Sequence, residues 1–497
     1  MEQRQQGISE PRSASAALRR SLREGRGLAL ADPQARIDWR DLAARTARLA
    51  EALEAVGIAR GAGLALPGRN TIAAAAACIG TIAGKRCTML VNPFQPTAAM
   101  VAAARADRPA ALLLEEQDLD DAALATTDAV LVLCENGEMR WHRTPGDTAV
   151  PEVAGALMLS TSGTTGEPKK VTITDRTLAQ ALSDIEMFNL GFGDRPDAEG
   201  NWAPLLQYSP LAHIGGAVTL LRGMVQERAV VMFAKFDARQ WADAVAEHRP
   251  VTTGLPPAMM RMLLEAAIPP AKLSSLVSVW SGSAPVKPET VDAFSERYGL
   301  PVLGNYGATE FCGAVATWSL DDYHRFHSER RAATGRIRPA VAKARVRDPA
   351  TRDILADGHV GVLELQVHRV GPDWLKTTDL AHLDSDGFLY LHGRADDAII
   401  RGGFKITPDA VAGALRKHPA VRDAAVVGIP DQRLGQVPVA AVELGTALRT
   451  DEAELIGFVR SALPAYFVPA AIRIVDALPR TPAMKIDRRA VRALFDT

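Results

Sequence analysis

The chain has 497 residues, 47% hydrophobic and 23% charged, more than one compact core holds, so two or more globular domains are expected. Its 57 basic and 58 acidic residues leave a net charge of -1, which excludes bulk attraction to nucleic acid or to an anionic membrane. Any phosphate must therefore be held by a local site.

Residues 1–26 are polar and lack an apolar h-region, so they read as a loosely docked lead-in and not as a secretory signal. Residues 41–56 repeat apolar side chains at helical spacing and stop at Gly57, a C-cap residue. The alanine-rich run 72–83 is too short to span a bilayer and reads as a buried helix. Strands are expected at 111–114, 129–133, 156–160, 229–233, 251–253 and 276–280, with helices between them, among them 238–247 and 257–267. That rhythm predicts an α/β fold of mainly parallel sheets and helices over residues 27–393. The texture changes near Gly393-Arg394. Beyond it, helix 408–417, strands 424–428 and 437–444, helix 451–463 and strand 471–475 predict a small α+β domain over 394–497, joined by a short link suited to a hinge. The four cysteines, Cys78, Cys87, Cys134 and Cys312, show no CxxC spacing. Neither a zinc knuckle nor a redox motif is expected, and scattered thiols fit a reducing compartment, the cytoplasm.

Four segments carry chemistry. The first is LSTSGTTGEPKKVT, residues 159–172, after a predicted strand. Gly163 and Gly166 let consecutive N–H groups converge on one anion. Ser160, Thr161, Ser162, Thr164 and Thr165 add hydroxyl donors, and Lys169 adds a point charge. It is built like a phosphate cradle, though GxxxxGK[ST] is absent. The string resembles the phosphate loop of the adenylate-forming superfamily of acyl- and aryl-CoA synthetases, peptide-synthetase adenylation domains and luciferases. The likeness runs from about residue 28 to 494 in ordered motifs. It implies a large N-terminal domain with ATP and acid sites and a small mobile C-terminal domain that rotates between two half-reactions.

The second segment is Asn305-Tyr306-Gly307-Ala308-Thr309-Glu310. A carboxylate beside a polyphosphate is a hard oxygen ligand for Mg2+. The resemblance to YGxTE implies that Tyr306 stacks on adenine, Thr309 meets the α-phosphate and Glu310 binds the metal. The third is Thr377-Thr378-Asp379 with Arg394. Asp379 offers a bidentate acceptor for two ribose hydroxyls, with Arg394 as a nearby donor; Thr378 stands where the family has glycine. The fourth is LPRTPAMKIDR, residues 478–488, in which Lys485 matches the family's catalytic lysine and Met484 replaces a glycine. An ammonium there would stabilise charge building on the α-phosphoryl oxygens in the transition state.

The resemblance also assigns Asp396 as hinge and Gly402-Gly403-Phe404-Lys405 as lining of the thiol tunnel, where glycines give the backbone freedom to swing. Ser283, Ala284 and Pro285 correspond to the loop beside adenine. Tyr208, His213, Gly282 and Cys312 correspond to the acid pocket, with His213 near the chemistry. Lys170 replaces a common glycine, and Asp409-Ala410-Val411 is a weak match to Glu-Ile-Glu. His324 and His327 lack a third zinc ligand, and Gly191-Phe192-Gly193 lacks a third dinucleotide glycine.

The implied function is an AMP-forming ligase. A carboxylic acid attacks the α-phosphorus of ATP with Mg2+ present, and the acyl-AMP passes to the thiol of coenzyme A. A carrier-protein pantetheine or an amine stays open as acceptor, as does an unusual small acid such as nitrite. The contrasting class is a degenerate nucleotide-binding protein. Assembly as a homodimer stays open.

Overall fold

A computed structural model describes residues 13–496 except 121–123, 125–128, 147–151, 154, 162–168, 198–200, 283–287, 396, 398, 402–403, 446–448 and 482–483. The chain forms two compact units, Met1–Val341 with Val367–Pro372 and Ala342–Gln366 with Asp373–Thr497. Compactness thus divides the chain well before the 393/394 change in texture. The reason is hairpin pairing: Gly361–Val367 runs antiparallel to Leu375–Leu383, which runs antiparallel to Phe388–Arg394.

Within the expected lead-in, residues 1–12 lie outside the described residues and Ala14–Glu24 forms a docked helix. Ser13 caps it by accepting from the Ala16 N–H, and Ala14 and Leu18 are buried in the first unit's core. The Ser15 N–H donates to Asp175 Oδ1 at 2.7 Å, a partner 160 residues away.

The first unit holds a seven-stranded sheet in the order Met139–Arg143, Val130–Leu133, Ala111–Glu115, Gly63–Pro67, Cys87–Val91, Leu157–Thr161, Lys169–Ile173. The inner five strands are parallel and the two outer pairings are antiparallel. Gly63–Pro67 is buried throughout, as a strand covered on both faces must be, and all twelve residues of helix Ile72–Ala83 are buried. Ligands bind such sheets beyond the carboxyl ends of the strands, and Leu157–Thr161 runs at that end into residues 162–168. A second sheet aligns Leu205–Gln207, Val230–Met232 and Leu28–Ala31 in parallel, with Arg36–Asp38 antiparallel at the edge. A third places Thr252–Gly254, Ser278–Ser281 and Val302–Ala308 in parallel, followed by antiparallel Gly313–Thr317 and Gly335–Ile337.

In the second unit, Val421–Asp431 and Gly435–Leu444 form a long hairpin joined by parallel Ala471–Val475. Helices Pro408–Leu415 and Glu452–Ala462 supply Val411, Leu415, Leu455 and Val459 to the core on one face; Val491 of Arg488–Ala493 packs on the other. Two-sided cover explains the nearly unbroken apolar run of the first hairpin strand. Among the described residues no helix is long and apolar enough to cross a membrane.

Candidate active site

The parallel strand Val302–Ala308 delivers the Asn305–Glu310 string to its carboxyl end. Tyr306 pairs with Ala316, and a register shift follows before Gly307 pairs with Ala314 and Ala308 with Gly313. Such a bulge re-aims the side chains that follow it. A Cβ on Gly307 would lie 2.3 Å from the Gly313 carbonyl oxygen, so only glycine fits there. Thr309–Phe311 is a single 3-10 turn closed by Cys312 in the left-handed region (φ 56°), whose N–H donates to the Thr309 carbonyl at 2.9 Å. Tyr306 is buried against Phe311, with ring centroids 6.3 Å apart. Glu310 is half-buried and has no ion-pair partner among the described residues. Burial pushes the Cys312 thiol up to about 12, so it acts as a small neutral wall.

Strand Ser278–Ser281 ends beside this turn. A Cβ on Gly282 would stand 2.2 Å from Asn305 Oδ1, so the structure brings Gly282 and Asn305 together. Ser281 Oγ is buried without a hydrogen-bond partner among the described residues, the kind of orphan that water or a ligand satisfies. Tyr208 follows strand Leu205–Gln207. Its hydroxyl donates to the Gly254 carbonyl, its ring meets Phe236 edge-on at 5.4 Å, and burial holds its phenol above the usual range. His213, half-buried, precedes helix Ile214–Val225 without a side-chain capping bond.

Strands Leu157–Thr161 and Lys169–Ile173 pair antiparallel, with Thr161 opposite Lys169 at the two ends of the expected phosphate loop. Lys169 and Lys170 are both exposed, and Lys170 is ion-paired with Asp107. Ser162, Gly163, Thr164, Thr165, Gly166, Ser283, Ala284, Pro285, Asp396, Gly402 and Gly403 lie outside the described residues. For Thr161, Phe404 and Lys405 only the backbone is described; strand Phe404–Ile406 pairs with Ile399–Arg401.

In the second unit, strand register sets Asp379 opposite Arg394. Sequence reasoning flagged Thr378 only as a departure from glycine. Its Oγ1 accepts from Arg394 Nε at 2.9 Å and so fixes where the guanidinium points. Thr377 Oγ1 donates to the Leu363 carbonyl at 2.8 Å and accepts from the Asp379 N–H at 3.0 Å. Two adjacent hydroxyls thereby order the acid and the base. Lys485 is exposed on a loop whose base is pinned in three ways: the bridge between Arg480 and Ile486, the Thr481 N–H donating to the Lys485 carbonyl at 2.7 Å, and Arg480 paired with Asp423 at 2.7 Å. Met484 takes φ 60°, a backbone region in which glycine would be unstrained.

Of the decoys, Gly193 ends helix Asp175–Gly191 at positive φ, just before buried Asp194, which pairs with Arg228 at 2.7 Å. His327 stacks on Tyr323 with centroids 4.2 Å apart.

The parallel sheets and these motif-bearing strand ends define an adenylate-forming enzyme. The chain belongs to the AMP-binding enzyme family, which it matches over residues 19–370, and matches the AMP-binding enzyme C-terminal domain over 410–485. It is 35% identical to a sulfoacetate–CoA ligase of Cupriavidus necator over 357 residues, 67% of this chain and 66% of that one. It is 29% identical to an indoleacetate–CoA ligase of Aromatoleum aromaticum over 500 residues, 93% of this chain and 94% of that one. Among solved structures it is similar to the amide bond synthetase McbA of Marinactinospora thermotolerans, with TM-score 0.77, 28% identity, and cover of 97% of this chain and 99% of that one.

Proposed function

We propose that the protein is an AMP-forming acid–CoA ligase: it joins a carboxylic acid to the α-phosphorus of ATP, releases pyrophosphate, and transfers the acyl group to the thiol of coenzyme A. The observation that carries this reading is the braced turn at the carboxyl end of a parallel strand, with Tyr306 buried and Glu310 lacking a counter-charge among the described residues. A half-buried carboxylate of that kind suits a divalent cation, so Glu310 is the residue that would hold Mg2+. When bound, the ion would neutralise the charge of the departing pyrophosphate.

The rest falls to this chain's own groups. Tyr306 and Asn305, with Ser283, Ala284 and Pro285, frame the base, and residues 161–166 with Lys169 cradle the phosphates. Asp379 accepts from the ribose hydroxyls while Arg394, aimed by Thr378, donates. Thr309 and Lys485 meet the α-phosphoryl oxygens, where charge rises only in the transition state. Thioester formation then requires Lys485 to give way to the 402–405 loop, a rotation about Asp396. Tyr208, His213, Gly282 and Cys312 wall the acid. The reducing cytoplasm suits four free thiols.

Incubation with ATP, Mg2+, coenzyme A and a panel of acids tests this. AMP, pyrophosphate and an acyl-CoA are expected in equal amounts. ADP as product, or no thioester with any acid, contradicts it. The likeness to an amide bond synthetase supports a second reading, in which an amine takes the acyl group; amide without thioester would select it.

A further inference from the structure

Arg369 lies on the Val367–Pro372 segment, which packs with the first unit although both its flanks belong to the second. Its side chain is 1% exposed. Nε donates to the Phe311 carbonyl at 2.7 Å, Nη2 to the Ala314 carbonyl at 2.7 Å and Nη1 to Asp184 Oδ2 at 2.6 Å. Asp184, on helix Asp175–Gly191, is steadied in turn by Gln180, whose Nε2 donates to Oδ1 at 3.1 Å.

The two carbonyls bracket one short stretch. Phe311 directly follows Glu310, and Ala314 pairs with Gly307 across the ladder. Between them Cys312 and Gly313 both take positive φ, at 56° and 120°. The ladder is irregular here, and the guanidinium fork spans the irregularity. Burying an arginine against one carboxylate gains little net stability. A planar fork with three fixed acceptors does, however, hold a geometry that a point charge cannot.

Resting on the acid-activating reading above, we infer that Arg369, held by Asp184, is a positioning residue that sets the turn carrying Thr309 and Glu310 for adenylate formation. Neither side chain touches substrate; both act through the backbone of the turn. The thioester half-reaction, which needs neither pyrophosphate neutralisation nor its metal, depends on the pair far less.

The test is Arg369→Lys, which keeps the charge and loses the fork. We compare acid-dependent pyrophosphate release at varied free Mg2+, thioester formation from supplied acyl-AMP, and Tm. The expected result is a fall of about tenfold or more in kcat for pyrophosphate release and a several-fold rise in the Mg2+ needed for half-maximal rate. The acyl-AMP step should stay within about twofold of wild type. No change in pyrophosphate release, or an equal loss of both half-reactions alongside a lowered Tm, overturns the assignment. If Arg369→Lys does not fold, Asp184→Asn, which keeps the shape and removes the charge, is read the same way. Failure of both to fold assigns the pair to stability alone and also overturns it. A wild-type protein that releases no pyrophosphate with any acid sinks the acid-activating reading itself, whereas an active wild type with an unimpaired variant sinks only the role of Arg369.

Discussion

The turn at residues 305–312 and the loop at residues 480–486 bring side chains of the same expected chemistry, yet they are built in opposite ways. The turn ends a parallel strand, hides Tyr306, Phe311 and Cys312, and is gripped from behind by a buried guanidinium. The loop is anchored through Arg480 and Thr481, exposes the Lys485 side chain and holds Met484 at positive φ. Donors and ligands that must stand ready before charge develops gain from rigid backing, because a preformed site needs no reorganisation during the reaction. A lysine proposed to serve one half-reaction and leave the other gains from a stalk. If the proposed roles hold, the contrast teaches that a preformed turn and an exposed side chain can serve the same chemistry by different physical means.

Removing the stalk group should have the largest effect. Lys485→Ala is expected to slow adenylate formation by about 100- to 1,000-fold while conversion of supplied acyl-AMP stays within about threefold. Single-turnover measurements of each half-reaction check this, and equal loss of both would erase the contrast. Next comes the braced side. Glu310→Gln should lower pyrophosphate release by about 10- to 100-fold and raise the Mg2+ requirement, read from the rate against free Mg2+. A smaller effect is expected at the pair proposed to hold the ribose: Thr378→Val removes the acceptor at 2.9 Å from Arg394 Nε. Loss of one such bond, about 1 kcal/mol, should raise KM for ATP about fivefold with kcat nearly unchanged.

The smallest effect sharpens what bracing means. Asp184 has a forked partner at 2.6 Å, whereas buried Glu115, at the end of its sheet strand, has Arg69 Nε only at 3.9 Å. Burial, only partly offset by the Thr71 hydroxyl, pushes its carboxyl up to about 7. The folded chain then holds this proton more tightly than the unfolded one, so stability falls as pH rises through the window from about 4.5 to about 7 and is lowest above it. Glu115→Gln should be about 3 kcal/mol more stable than wild type at about pH 8 and nearly equal to it at about pH 4, by urea denaturation at both values.

The fold was largely legible where period and punctuation agreed. Helix 238–247 and strand 471–475 are met by Ala238–His248 and Ala471–Val475. Helix Ala14–Glu24 was not, because its docking depends on Asp175, far along the chain. The candidate site's strings stand out in the sequence because clusters of Gly, Ser, Thr and Lys such as residues 159–172 are unusual. What they left hidden was support. Arg369 binds backbone carbonyls, which leave no mark in a sequence, and the aid that Thr378 gives Arg394 needs the register of a hairpin to become visible.

Exchange of labelled pyrophosphate into ATP tests the central claim most directly. Exchange is expected only when a cognate carboxylic acid is added, with a requirement for Mg2+ and loss in Lys485→Ala. ATP bound without exchange for any acid, or phosphate released in place of pyrophosphate, would contradict it.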